Sequence, residues 1–111
     1  MNPLCKVRDI QRALELFEHE FEHLNGISLK EGMVLCCLSE GNCTASELAA
    51  KIDLTCSNCS KVISSVERKG YIIRNLGETD KRNMFFTLSD IGNSKLAEIK
   101  QRIPDIPELL K

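Results

Sequence analysis

The sequence predicts one mainly α-helical domain with a single small β-hairpin, and three features predict it. Apolar residues recur at helical spacing in five segments. A hydroxyl residue suited to capping stands ahead of four of them: Ser28, Thr44, Thr55 and Ser89. The period turns β-prone only between Gly70 and Ser89. At 111 residues the chain suits a single domain whose core needs no covalent staples. It has neither an apolar run of membrane-spanning length nor the apolar stretch of a signal peptide, so no membrane partner and a cytoplasmic location are expected.

The first helix is expected over residues 8–25, with Ile10, Ala13, Leu14, Phe17, Phe21 and Leu24 on one face and Asn25-Gly26 as its stop. Ser28-Leu29-Lys30-Glu31 has the form of a capping box and opens a second helix, apolar from Met33 to Leu38, that ends at Gly41. Thr44-Ala45-Ser46-Glu47 is another such box and begins a short, alanine-rich third helix. After a turn at Asp53-Leu54, Thr55 caps a fourth helix that runs to Lys69, with Gly70 beyond its end. Cys59, Val62, Ile63 and Val66 form its apolar stripe, which leaves Ser57, Asn58, Ser60, Lys61, Ser64 and Ser65 outside. Tyr71–Arg74 and Met84–Leu88 read as strands, and the polar segment between them is too long for a tight turn, so its tip should project. Ser89 caps a last helix carrying Ile91, Leu96, Ile99 and Ile103, which Pro104 should end.

Two helices joined by a short turn, the second leading into a hairpin, describe a winged helix-turn-helix. In that arrangement the second helix enters the major groove of DNA. Its outer face here is unusual for a solvated helix, because Thr55, Ser57, Asn58, Ser60, Ser64 and Ser65 are poorer helix formers than the usual Glu, Lys and Gln. Short hydroxyl and amide groups allow close backbone approach, donate to phosphates, and read base edges. The tip residues Lys81 and Arg82 can reach an adjacent minor groove, although alone they read as a solvated turn. The net charge of −1 is silent on nucleic acid, but its distribution is not. Residues 1–50 carry four basic side chains against eight acidic ones, whereas residues 51–82 carry seven against four. Phosphate binding requires only such local positive charge.

Three stretches together resemble the MarR family of transcriptional regulators. They are Cys43-Thr44-Ala45-Ser46-Glu47-Leu48-Ala49, then Leu54-Thr55, then Val66-Glu67-Arg68-Lys69-Gly70-Tyr71-Ile72. Asp80-Lys81-Arg82, followed at the family's distance by Leu88-Ser89-Asp90-Ile91-Gly92, extends the likeness through the wing, so that it spans roughly residues 26–100. The resemblance implies a homodimer on a pseudo-palindromic operator in double-stranded DNA, usually a repressor relieved by a small-molecule effector or an oxidant. Carried onto this chain, it implies DNA contacts by Thr55, Cys56, Ser57, Asn58, Ser60 and Lys61. Arg82 becomes the wing arginine, with Asp80 orienting the wing, and Thr44 and Ser46 become phosphate donors. The chain then divides into a dimerisation helix over 8–25, a core over 28–88, and a dimerisation helix with tail over 89–111. It is shorter than most members at its C-terminal end, and Pro104 and Pro107 suggest a kinked tail that packs on the partner subunit.

Six cysteines are too few for a disulfide scaffold and read as reduced thiols. Cys56 is the redox candidate, since the first turn of a helix favours a thiolate and an oxidised side chain there would disturb a DNA contact. Cys59 falls on the core stripe, and His19 and His23, among glutamates, read as solvated; no metal and no cofactor are expected. No paired acid–base groups and no phosphate loop point to an enzyme. Two readings stay open beside the ligand-controlled regulator: the same fold triggered by cysteine oxidation, and a winged-helix protein-interaction module without DNA. The interaction module calls for an apolar outer face on the fourth helix, whereas this one is serine- and asparagine-rich.

Overall fold

The computed structural model describes residues 2–77 and 84–111. The elements run α1 (Pro3–Asn25), α2 (Leu29–Glu40), α3 (Ala45–Lys51), α4 (Cys56–Arg68), β1 (Ile72–Leu76), β2 (Met84–Leu88) and α5 (Asp90–Gln101), followed by a 3-10 turn at Glu108–Leu110. All four expected caps are in place. Ser28 and Thr44 close complete boxes with Glu31 and Glu47, Thr55 accepts the Asn58 N–H at 3.2 Å, and Ser89 accepts the Gly92 N–H at 3.0 Å. The first helix begins five residues before the sequence expectation. Asn2 accepts the Leu4 N–H at 3.0 Å and Pro3 fills N1, where its missing donor costs nothing.

The core lies where α2, α3, α4 and the hairpin meet. Val34, Leu35, Leu48, Cys59, Val66 and Phe86 are sealed from solvent there, and each large apolar side chain contributes about 1.5–3 kcal/mol. The strands pair antiparallel, from Ile72 opposite Leu88 to Leu76 opposite Met84. A bridge that no local pattern announces adds one pairing on the other edge of β2: Phe86 N–H donates to the Cys43 carbonyl at 2.8 Å, and Cys43 N–H returns to the Phe86 carbonyl at 3.4 Å. It ties the segment entering α3 to the middle of β2.

Helix α5 crosses this core at a close approach. A Cβ on Gly92 would stand 2.9 Å from the Tyr71 carbonyl carbon, with the carbonyl oxygen nearer still, so only glycine fits. Leu96 and Ile99 are buried, whereas Ile91 and Ile103 are exposed. The helix also stops at Gln101, short of Pro104.

Of the stripe expected on α1, only Phe21 is buried; Leu14 and Leu24 are 41% and 45% exposed. The first two turns of α1 are open to solvent on every side. The radius of gyration, 15.9 Å, exceeds the roughly 13 Å of a compact chain of this length, because α1 extends from the body. Its end is anchored by Asn25, whose Nδ2 donates to Phe21 O and, across 77 residues of sequence, to Arg102 O at 3.2 Å. Lys95 donates to the Asn25 carbonyl. The C-terminal 3-10 turn lies against α1 of the same chain. Residues 102–107, with Pro104 and Pro107 among them, carry the chain from the end of α5 to this contact.

Candidate nucleic-acid interface

Helix α3, the turn and α4 form the helix-turn-helix. The turn is tight: Ile52 N–H reaches Leu48 O and Leu54 N–H reaches Ala49 O, both at 3.0 Å. Asp53 takes φ 53 to make it, a left-handed conformation that Asp tolerates better than most residues. The buried Ala49 lets α3 approach α4 closely, and the Cys59 Sγ faces the Ala45 carbonyl at 3.8 Å. Burial, with a smaller contribution from Cys56, pushes the Cys59 thiol up, which suits a core filler.

With Cys59, Ile63 and Val66 turned inward, the opposite face of α4 presents Cys56, Ser57, Asn58, Ser60, Lys61 and Ser64 to solvent. Thr55 is exposed beside them, its oxygen accepting the Asn58 N–H. At the start of α3, Thr44 is half-buried with its oxygen engaged by the Glu47 N–H, while Ser46 is exposed. Asp80, Lys81 and Arg82 lie outside the described residues.

Ser65 departs from the sequence expectation, because it faces α2 and not solvent. Its hydroxyl donates to Glu31 Oε2 at 2.9 Å, and Lys69 Nζ donates to the same oxygen at 2.8 Å. Oε1 of this buried carboxylate accepts the Ser28 N–H at 3.0 Å. Burial alone would raise the Glu31 carboxyl. The hydrogen bonds from Lys69, Ser28 and Ser65, together with the Lys69 charge, outweigh it and hold the group below its ordinary value. Sequence reasoning found the capping half of this arrangement and missed the rest, since partners 34 and 38 residues away leave no local signal.

The hairpin is fixed to α4 by Arg74, which makes two hydrogen bonds to Glu67, at 3.0 and 3.1 Å, and sits 5.6 Å over the Phe86 ring. Lys51 donates to Cys43 Sγ at 3.4 Å, a contact that pushes its ammonium up. Lys51, Lys69 and Arg74 are therefore engaged within the domain. Lys61 and Arg68, both exposed on α4, form no ion pair among the described residues.

His19 and His23 are exposed on α1, and among the described residues no group of three or more His, Cys, Asp or Glu is placed to hold a metal ion. Among the described residues no helix is long and apolar enough to cross a membrane. A cavity of about 240 Å³ opens between α1, α2 and α5, lined mainly by apolar side chains including Phe21, Met33, Leu96 and Ile103, with Lys100 among its wall residues.

Similar folds occur in several solved structures. The transcriptional regulator BldR from Sulfolobus solfataricus matches with a TM-score of 0.78 at 21% identity, over 89% of this chain and 72% of that one. A mutant MarR from E. coli, complexed with operator DNA, matches with a TM-score of 0.77 at 18% identity, over 86% and 71%. The transcriptional repressor CouR, bound to a 23-mer DNA duplex, matches with a TM-score of 0.77 at 21% identity, over 86% and 70%. No curated protein matches the chain in sequence. The sequence model of the MarR family, however, matches residues 27–84, from the residue before the α2 cap to the first residue of β2. That match takes in more than half of the chain, and this protein belongs to the MarR family of winged helix-turn-helix transcriptional regulators.

Proposed function

We propose that this chain is a homodimeric, sequence-specific DNA-binding repressor acting in the cytoplasm on a pseudo-palindromic operator. The observation that carries the proposal is the outer face of α4, where short polar side chains and Lys61 stand exposed on a helix locked from behind by Cys59, Ile63 and Val66. Thr55, Cys56, Ser57, Asn58, Ser60 and Lys61 meet the major groove, with Asn58 suited to an adenine edge. Thr44 and Ser46 donate to phosphate. Lys81 and Arg82, oriented by Asp80, enter the neighbouring minor groove. MarR and CouR in their DNA-bound structures support this reading.

The whole chain acts as one domain, with residues 28–88 as the reading head and residues 8–25 and 89–111 as the dimerisation parts. Dimerisation is supported by Leu4, Val7, Leu14 and Leu16 on α1 and by Ile103, Ile106 and Leu109 beyond α5, each at least 41% exposed. So much apolar surface calls for a cover, and a second copy supplies it. A small-molecule effector is supported by the apolar cavity between α1, α2 and α5. Cys56, exposed at the first position of α4, supports a second reading in which a peroxide-type oxidant is the trigger.

Selection of bound sequences from random duplex DNA tests the proposal, repeated with oxidant and with Cys56→Ser. A two-fold symmetric site is expected, its half-sites about 34–36 Å apart or a multiple of that. Failure to enrich any sequence would sink it. Arg82→Ala should weaken binding and reduce the salt slope by about one unit.

A further inference from the structure

We propose that Glu31 is a positioning residue for DNA recognition: from the second helix it fixes the rotation of α4, and so decides which side chains of that helix face the bases. The proposal rests on the DNA-binding reading above.

Glu31 is 7% exposed, yet it carries a charge. Its three hydrogen bonds have different destinations. Oε1 closes the start of its own helix through Ser28, while Oε2 holds Ser65 and Lys69, which stand four residues apart across the last turn and cap of α4. The ion pair is half-buried, Glu31 at 9% and Lys69 at 39% side-chain exposure, and such a pair adds little net stability, because desolvation of the carboxylate and solvent screening of the ammonium offset the attraction. What it adds is direction. Charge-assisted hydrogen bonds are short and angle-dependent, whereas the apolar contacts by which Cys59, Ile63 and Val66 seat the helix are non-directional and set its rotation less sharply.

The consequence of a roll is large at the other end. Side-chain tips lie about 6 Å from the helix axis, so a rotation of about 20° moves them by about 2 Å. That displacement exceeds what a hydrogen bond to a base edge tolerates. Glu31 therefore acts on Ser57, Asn58, Ser60 and Lys61 without touching DNA. It also holds the Lys69 ammonium on its own carboxylate, so that this lysine is not a phosphate contact.

Glu31→Gln, Lys69→Met and the double variant provide the test. Glutamine keeps the acceptor for Ser28 and can still bond Ser65, but it presents an amide N–H₂ to Lys69 and cuts that link alone. Each full-length variant is titrated by fluorescence anisotropy with the selected duplex and with a random duplex, across a salt series, after circular dichroism confirms its fold. Each single substitution is expected to lower the selected-to-random affinity ratio about tenfold. The double variant should lose no more than either single one, and no salt slope should change. An unchanged ratio in the single variants overturns the proposal, and so do losses that multiply. A steeper slope in Glu31→Gln also overturns it, since Lys69 would then be a phosphate ligand merely held back. If the parent protein prefers no duplex, the DNA-binding reading itself fails and this inference falls with it.

Discussion

Replacing Gly92 by alanine should damage this fold more than any surface substitution of similar size. The added methyl would overlap the Tyr71 carbonyl, whose carbon would stand 2.9 Å from it, and would press on Leu88 Cδ2 at 3.2 Å. Backbone cannot swing aside as a lysine tip can, so α5 and the start of the hairpin must separate. The joint there holds two hydrogen bonds, Ser89 N–H to Tyr71 O at 3.0 Å and Ser89 Oγ–H to Gly70 O at 2.6 Å. Each is worth about 0.5–1.5 kcal/mol, and forced overpacking costs about 1–3 kcal/mol. Together they give about 2–6 kcal/mol, a large part of the roughly 5–15 kcal/mol that stabilises a domain. The drop in melting temperature should be at least about 8 °C by thermal unfolding. A Gly92→Ala protein melting within a few degrees of the parent would refute the reasoning and show that the joint is slack.

Three further outcomes follow from geometry elsewhere. The Glu31 carboxyl is held below its ordinary value of 4.5, so its stabilising contribution is fully present above that pH and is lost as pH falls through the folded-state value. Acid titration of stability should therefore separate the parent from Glu31→Gln at neutral pH and bring them together in acid; a constant gap would contradict the ion pair. Asn25→Ala removes the donor shared by Phe21 O and Arg102 O and should cost about 1–3 kcal/mol in urea unfolding, whereas no change would mean that water replaces it freely. Asp53→Val places a β-branched residue at φ 53 and should cost about 1–3 kcal/mol; an unaltered midpoint would show that the turn relaxes.

The features legible in the sequence share one property: their partners lie within about four residues. Ser28, Thr44, Thr55 and Ser89 all cap as the sequence implies, because a cap is a local contract between a side chain and the next turn. The inward stripe of α4 was legible for the same reason. Ser65 was misplaced because it sits at the border of that stripe, and its direction depends on Glu31, a residue in another helix. Leu14 and Leu24 obey helical periodicity, yet the described chain offers them no cover. Periodicity marks a face as apolar without saying which chain will bury it. The bridge between Cys43 and Phe86 joins positions 43 residues apart and leaves no trace in either neighbourhood.

On the DNA-binding reading, that bridge works like the pivot of a caliper between the start of α3 and the described strands of the hairpin. One jaw is the start of α3 and the other is the hairpin, and the rung between Cys43 and Phe86 sits at the pivot. The middle of β2 cannot move away from the start of α3 without breaking two main-chain hydrogen bonds. Mismatch in groove spacing must then be absorbed by the duplex, whose bending costs depend on its sequence. Base steps that this protein never touches would thus be sorted by their stiffness.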